Sequence, residues 1–390
     1  ALYAFQINYT QNLIKNPSLE NYVSCPTSGG QLFKCINWFG NSVEFFHSCS
    51  PFNGLKTPEN SFGFQVPKSG EAYGGFHPVI KIQNIYYGSE FAGTKLNEQL
   101  TKKFYCGGYF VALTNGSTKA TDAFQMYFTH DSLVNSMQWQ ENRPWPAQIT
   151  YKGGFVTDTL DWTKIEGAFL ADGNERFVQI GCFLDSLSIN GISVPFDSLN
   201  LGPPFGANYL TYYYFDDLYL YELNKLPQAQ NHAYNCAANT VTLKTDTGFN
   251  FRWYYLPDTI NVLSTADTFL VDASTAKNVL LRATLCSTEF TDTVAVPKLD
   301  CTGIENNALA QGAALFPNPA NSMATFTLQG TPPPGTTLHL TDLNGRELRS
   351  YAVLGKTTEM HLQGLSAGVY VLSYRYKENV IWKGKLAVMK

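Results

Sequence analysis

Short apolar runs, each closed by Gly, Asn, Asp or Pro, recur along this chain and restrict it to short strands. Tyr109-Phe110-Val111-Ala112-Leu113, Phe177-Val178-Gln179-Ile180 and Leu218-Tyr219-Leu220-Tyr221 are of this kind. Only Gly93 to Lys103 reads as a short helix. Many short strands with regular turn signals predict an all-β chain built of sandwiches.

Composition agrees. Charged residues make up 15% of the 390 residues, against about 25% in ordinary soluble domains, while Tyr and Phe are abundant. Hydrophobic residues at 44% supply cores for two or three domains. The net charge is −4 and no long basic run occurs, which argues against a nucleic-acid partner. No apolar stretch approaches the roughly 20 residues that span a bilayer. The start at Ala1 reads as a mature form whose export signal has been removed.

The eight cysteines show no CxxC spacing and no convincing metal-ligand pattern. Disulfides in an oxidising compartment are the expectation. Cys25 with Cys49 closes a short loop, and Cys236 with Cys286 lies a sandwich-like distance apart. Cys35, Cys106, Cys182 and Cys301 remain open between buried thiols and further bridges.

Four segments emerge: residues 1–222, 226–296, a polar linker over 297–313, and 314–390. The last is the most informative. It opens with Phe316-Pro317-Asn318-Pro319-Ala320, where two prolines fix φ before a first strand. Asp342-Leu343-Asn344-Gly345-Arg346 is a turn, with Gly345 free to take positive φ. Gly368-Val369-Tyr370 begins a strand, and the chain closes with Lys383-Gly384-Lys385-Leu386-Ala387-Val388-Met389-Lys390.

These elements, in this order, resemble the type A C-terminal sorting domain of type IX secretion cargo. The resemblance implies export across an outer membrane, with the translocon and a surface shuttle protein as partners. It implies a sorting signal in Pro317, Asn318, Pro319, Asp342, Gly345, Gly368, Tyr370, Lys385 and Lys390.

Residues 1–222 open with Asn16-Pro17-Ser18-Leu19-Glu20 and end with Tyr213-Tyr214-Phe215-Asp216-Asp217. This layout resembles galactose-binding-like jelly rolls, as in family 4/9-type carbohydrate-binding modules. That likeness implies a structural calcium near Glu20 and Asp217, since calcium wants six to eight oxygens. Sugar binding needs aromatic faces and nearby polar groups. Trp38, Tyr86, Tyr87, Trp139 and Trp145 are the candidates, while Trp162 sits in a strand pattern and reads as core.

Residues 226–296 resemble an Ig-like or PKD-like spacer, with Phe251-Arg252-Trp253-Tyr254-Tyr255 as its buried aromatic strand. Ser132, Thr159, Ser186, Ser198, Thr259 and Thr293 each follow Asp and precede an aliphatic residue. They resemble a Bacteroidota O-glycosylation sequon.

Metalloprotease, nucleophile-elbow and phosphate-loop motifs are absent. Asp216 and Asp217 are neighbours on a strand and point to opposite faces, so they make no acid/base pair. The expectation is therefore a non-enzymatic surface binding or adhesion protein, with carbohydrate as a candidate ligand. A self-assembling subunit of a surface layer or filament is the alternative, and a secreted hydrolase is a third reading.

Overall fold

The computed structural model describes residues 11–40, 42–82, 85–133, 145–184, 188–195, 211–235, 238–299, 312–376 and 379–389; the side chains of 80–82, 85–88 and 379 are not described. The described residues form strands and two 3₁₀ turns, with no α-helix. The fold class is all-β.

Ten strands build the N-terminal sandwich: β1 Trp38–Gly40, β2 Glu44–His47, β3 Ala72–Phe76, β4 Phe91–Lys95, β5 Phe104–Leu113, β6 Gln125–Thr129, β7 Ile149–Thr150, β8 Thr163–Leu170, β9 Phe177–Gly181 and β10 Tyr213–Glu222. The front sheet has the order β1-β4-β9-β6-β7, and the back sheet β8-β5-β10-β3-β2. Neighbours run antiparallel. The non-sequential order is that of a jelly-roll sandwich.

Alternation along each strand sorts side chains between the faces. On β6, Met126 and Phe128 enter the core while Tyr127 and Thr129 point outward. Trp38, Phe45, Tyr109, Val178, Tyr213 and Phe215 join the same core. Residues 48–70 fold back over the outer face of the back sheet. They bury Phe46, Tyr73, Tyr212 and Tyr214 in a second aromatic layer, with Leu55 and Phe62 against it. Asn60 makes this layer possible: its amide donates to the Tyr73 hydroxyl at 2.9 Å and accepts from Tyr214 at 2.7 Å.

The segment Gly93 to Lys103 is not helical. Its first residues complete β4, because Gly93 lies under the Phe39 ring and the Thr94 hydroxyl donates to the Asn37 carbonyl at 2.9 Å. Cross-strand packing overrides the weak local preference.

The chain divides into two compact units. One comprises Ala1–Gln228, Asp246–Arg252 and Leu281–Asp292; the other comprises Ala229–Thr245, Trp253–Leu280 and Thr293–Lys390. The middle segment supplies β11 Gln230–Asn235, β12 Thr240–Lys244, β13 Phe249–Tyr255, β14 Thr268–Asp272, β15 Lys277–Leu285 and β16 Thr288–Val296. Trp253 is fully buried, with its indole N–H on the Ala266 carbonyl at 2.9 Å.

Cys25 and Cys49 form a disulfide. Cys286 pairs with Cys106, not with Cys236, so the sequence-based pairing is corrected. The reason is long-range: Cys286 sits at the β15–β16 turn, and that turn docks on β8. The Ala168 amide donates to Thr288 Oγ1 at 2.8 Å, and Ser287 Oγ donates to Glu166 at 2.8 Å. This contact brings the Cα atoms of Cys106 and Cys286 to 5.8 Å. Cys35 and Cys182 are buried and not disulfide-bonded. Cys236 and Cys301 lie outside the described residues.

The C-terminal segment forms β17 Ala314–Phe316, β18 Met323–Thr327, β19 Thr336–Thr341, β20 Glu347–Ala352, β21 Thr357–His361, β22 Gly368–Tyr376 and β23 Asn379–Val388. Two sheets, β17-β18-β21 and β20-β19-β22-β23, enclose a core around Phe326, Leu340, Met360, Leu372 and Tyr374.

Candidate functional site

The outward face of the front sheet gathers aromatic and amide side chains. Strand register sets Phe39, Gly93, Gln179 and Tyr127 in one cross-strand row. Three strand spacings make this row about 14 Å long. The next row holds Lys95, Phe177 and Thr129. Phe39 and Phe177 meet edge to face with centroids 6.2 Å apart. Both are half-buried, as is Tyr127, so their rings still offer surface to solvent.

Trp145 stacks on Tyr127 at 6.1 Å with ring planes 22° apart, and Phe183 supports both rings from beneath. Gln179 is fully buried in the middle of the face, where its amide donates to Thr129 Oγ1 at 3.1 Å. Gln148 fixes the sheet edge beside it. Its carboxamide accepts from the Phe128 amide at 2.9 Å and donates to the Phe128 carbonyl at 3.0 Å, as a strand partner would.

Among the sequence-based sugar candidates, Trp145 lies on this face. Trp38 does not: it is 4% exposed, packed against Phe215, and its indole N–H donates to the Asn16 carbonyl. Alternation on β1 turns Trp38 inward and Phe39 outward, which corrects the assignment. Tyr86 and Tyr87 lie in a short strand, Ile85–Gly88, whose side chains are not described, and Trp139 lies outside the described residues. Trp162 is half-buried on the aromatic layer over the back sheet, bonded to the Val66 carbonyl. Sequence reading missed Phe39, Tyr127, Phe177 and Gln179. The alternation in Gln125-Met126-Tyr127-Phe128-Thr129 was the available signal.

Glu20 and Asp217 flank the turn at residues 68–72. Glu20 Oε1 accepts the Glu71 and Ala72 amides, both at 3.0 Å, and Asp217 Oδ1 accepts the Ser69 hydroxyl at 2.6 Å. Gly70 at φ +62° is required here, since a Cβ would fall 2.2 Å from the Glu20 carboxyl carbon. Asp216 is buried and accepts the Lys68 and Ser69 amides, so the irregularity after Asp216, with Asp217 at φ +49°, brings both carboxylates to one turn and not to opposite faces as alternation predicted. Burial, then the Asp217 charge, pushes the Asp216 carboxyl up to about 8. Among the described residues, the three carboxylates form no group of ligand atoms within 4.8 Å of one another. In this arrangement the three side chains organise the turn at residues 68–72.

A second acidic pair went unnoticed in the sequence. Glu44 Oε2 accepts the Tyr212 hydroxyl at 2.6 Å, and Glu90 Oε2 accepts the His77 amide at 2.7 Å. Burial raises the Glu44 carboxyl to about 7; burial and then the Glu44 charge push Glu90 well up. The pair can hold a proton near neutral pH. Among the described residues the one group of three clustered metal-capable donors is Cys106, Glu166 and Cys286, whose sulfurs are spent in the disulfide.

The Asp-Ser/Thr-aliphatic triplets fall in different places. Thr159 and Thr259 sit in loops where Asp158 accepts the Leu160 and Asp161 amides and Asp258 accepts the Ile260 and Asn261 amides. Ser132 follows β6, Thr293 is exposed on β16, and Ser186 and Ser198 lie outside the described residues. Two open grooves, of about 380 and 570 Å³, lie at residues 113–117 with 157–159, and at 99–102 with 172–174; neither lining contains an aromatic ring.

In the C-terminal segment the opening motif, the strand from Gly368 and the chain end meet in space. Asp342 Oδ1 accepts the Asn344 and Arg346 amides, both at 3.0 Å, with Gly345 at φ +83° closing the turn. Tyr370 is buried and donates to the Ser366 carbonyl, while Gly368 pairs with Val388. Pro317 and Pro319 flank Asn318, whose side chain holds the final strand at Lys385 and Ala387. Lys385 is exposed, and Lys390 lies outside the described residues.

No curated protein matches the chain. Among solved structures the fold is similar to TmCBM61 in complex with β-1,4-galactotriose, at 10% identity and TM-score 0.27, covering 55% of this chain and 99% of that one. It is similar to the CBM22-1 xylan-binding domain of Paenibacillus barcinonensis Xyn10C, at 11% identity and TM-score 0.28, covering 56% and 98%. The K2 cleaved adhesin domain of Lys-gingipain gives 10% identity and TM-score 0.28, covering 52% and 96%. Likenesses this loose carry no functional weight. Residues 314–388 match the family described as the secretion system C-terminal sorting domain. With its motifs joined in one β-sandwich, this segment is a type IX secretion sorting domain, and the chain is cargo for the cell surface or extracellular space.

Proposed function

We propose that this exported protein is a surface binding module whose N-terminal sandwich holds a glycan against the outward face of its front sheet. The observation that carries the reading is the stacked pair Tyr127 and Trp145 beside the row Phe39, Gly93 and Gln179. Sugar rings pack their C–H faces on such aromatics, and amide and hydroxyl groups serve the sugar hydroxyls. Half-buried Thr129 supplies a hydroxyl that fully buried Gln179 orients from within the sheet, and the face carries no carboxylate in either row. A neutral polysaccharide suits it better than a cationic one.

The test is a glycan array and affinity electrophoresis on the purified full chain, followed by Tyr127→Ala and Trp145→Ala. Each substitution is expected to weaken binding about tenfold or more, as loss of a ring contact does. Absence of glycan binding by wild type, or retention of full binding by the double variant, defeats the reading. Ordered polymers in place of glycan binding would favour a surface-layer subunit.

A further inference from the structure

Asn318 stands between Pro317 and Pro319, neither of which has a backbone N–H to offer. Its side chain replaces what the backbone lacks. Asn318 Nδ2 donates to the Lys385 carbonyl at 2.6 Å, and the Ala387 amide donates to Asn318 Oδ1 at 2.9 Å. Two residues on, the Ala320 amide donates to the Ala387 carbonyl, and the Met389 amide donates to the Ala320 carbonyl, both at 2.8 Å. The opening motif is thus laid along the free edge of β23, parallel to it.

Strand β23 is sensitive to register. Leu386 and Val388 are buried, whereas Lys383 and Lys385 are exposed on the opposite face. A slip of one residue would exchange Lys385 for Leu386. The ladder to β22 holds one side of the strand, with an irregularity between Tyr374 and Arg375, well before Lys385. The carboxamide of Asn318 grips the strand from its other side at a single pair of backbone groups.

We propose that Asn318 is a positioning residue of the sorting signal, locking the register of the final strand and so fixing how Lys383 and Lys385 are presented to the export machinery. This rests on the reading of residues 314–388 as a sorting domain.

The full chain, expressed in a bacterium that has the machinery, provides the test. Asn318→Ala removes both bonds, and Asn318→Asp keeps only the acceptor. Val353→Ala, in the same core but away from β23, serves as a control chosen to match the loss in Tm. In purified Asn318→Ala the Ala387 amide is expected to exchange about tenfold faster. The same variant is expected to lose most of its surface delivery, Asn318→Asp to fall between, and Val353→Ala to reach the surface as wild type does. Normal delivery of Asn318→Ala, or an equal loss with Val353→Ala, overturns the positioning role. Retention of wild type itself in the periplasm overturns the sorting reading and, with it, the role given to Asn318.

Discussion

The Tyr212 hydroxyl donates a 2.6 Å hydrogen bond to Glu44, a carboxyl that burial raises to about 7. The folded state therefore binds this proton more tightly than the unfolded chain, where the value is about 4.3. Its contribution is complete below about pH 4 and is lost as pH rises through about 7. Glu90, raised by burial and by Glu44, acts in the same direction. Denaturation at pH 5 and pH 8 is expected to show wild type less stable at pH 8. Glu44→Gln keeps an acceptor for Tyr212 and is expected to gain about 1–3 kcal/mol at pH 8 and little at pH 5. A flat wild-type profile would remove this account.

The Cys106–Cys286 bridge spans 180 residues of sequence. Cys286→Ser is expected to cost about 2–5 kcal/mol in urea denaturation, chiefly by freeing the unfolded chain. Cys236→Ser is expected to leave the Cys106–Cys286 crosslink intact in a peptide map of the unreduced protein. A Cys236–Cys286 peptide in wild type would contradict the fold around β8.

Asn60 serves two buried tyrosine hydroxyls at once. Asn60→Ala removes the acceptor of Tyr214 and one of two partners of Tyr73, which keeps its bond to the Pro58 carbonyl at 3.4 Å, and a loss of about 1–3 kcal/mol is expected, the cost of one unsatisfied buried group. Asn60→Asp keeps the acceptor for Tyr214 and should lose less. Urea unfolding of the two variants, compared side by side, checks the order.

Glu20 accepts two amides of the turn at residues 71–72. Glu20→Ala is expected to lower stability by about 1–3 kcal/mol, the scale of amides bonded to a charged acceptor. Because the side-chain oxygens there do not gather into a cage, addition of calcium or a chelator should leave Tm unchanged. A calcium-dependent rise in Tm that Glu20→Ala abolishes would show that backbone oxygens complete a site.

The turn-bounded apolar runs determined the strands, and the motifs Phe316–Ala320, Asp342–Arg346 and Lys383–Lys385 determined the identity of the C-terminal segment, because turn chemistry and alternation act over a few residues. Tertiary structure alone decided which face of each strand met the other sheet. A period of two cannot distinguish the inward Trp38 from the outward Phe39. It also decided that Cys286 meets Cys106, and that half-buried Glu44 and Glu90 lie near buried Tyr212. Those relationships join residues far apart in sequence, and only packing of the two sheets and docking of the β15–β16 turn bring them within reach.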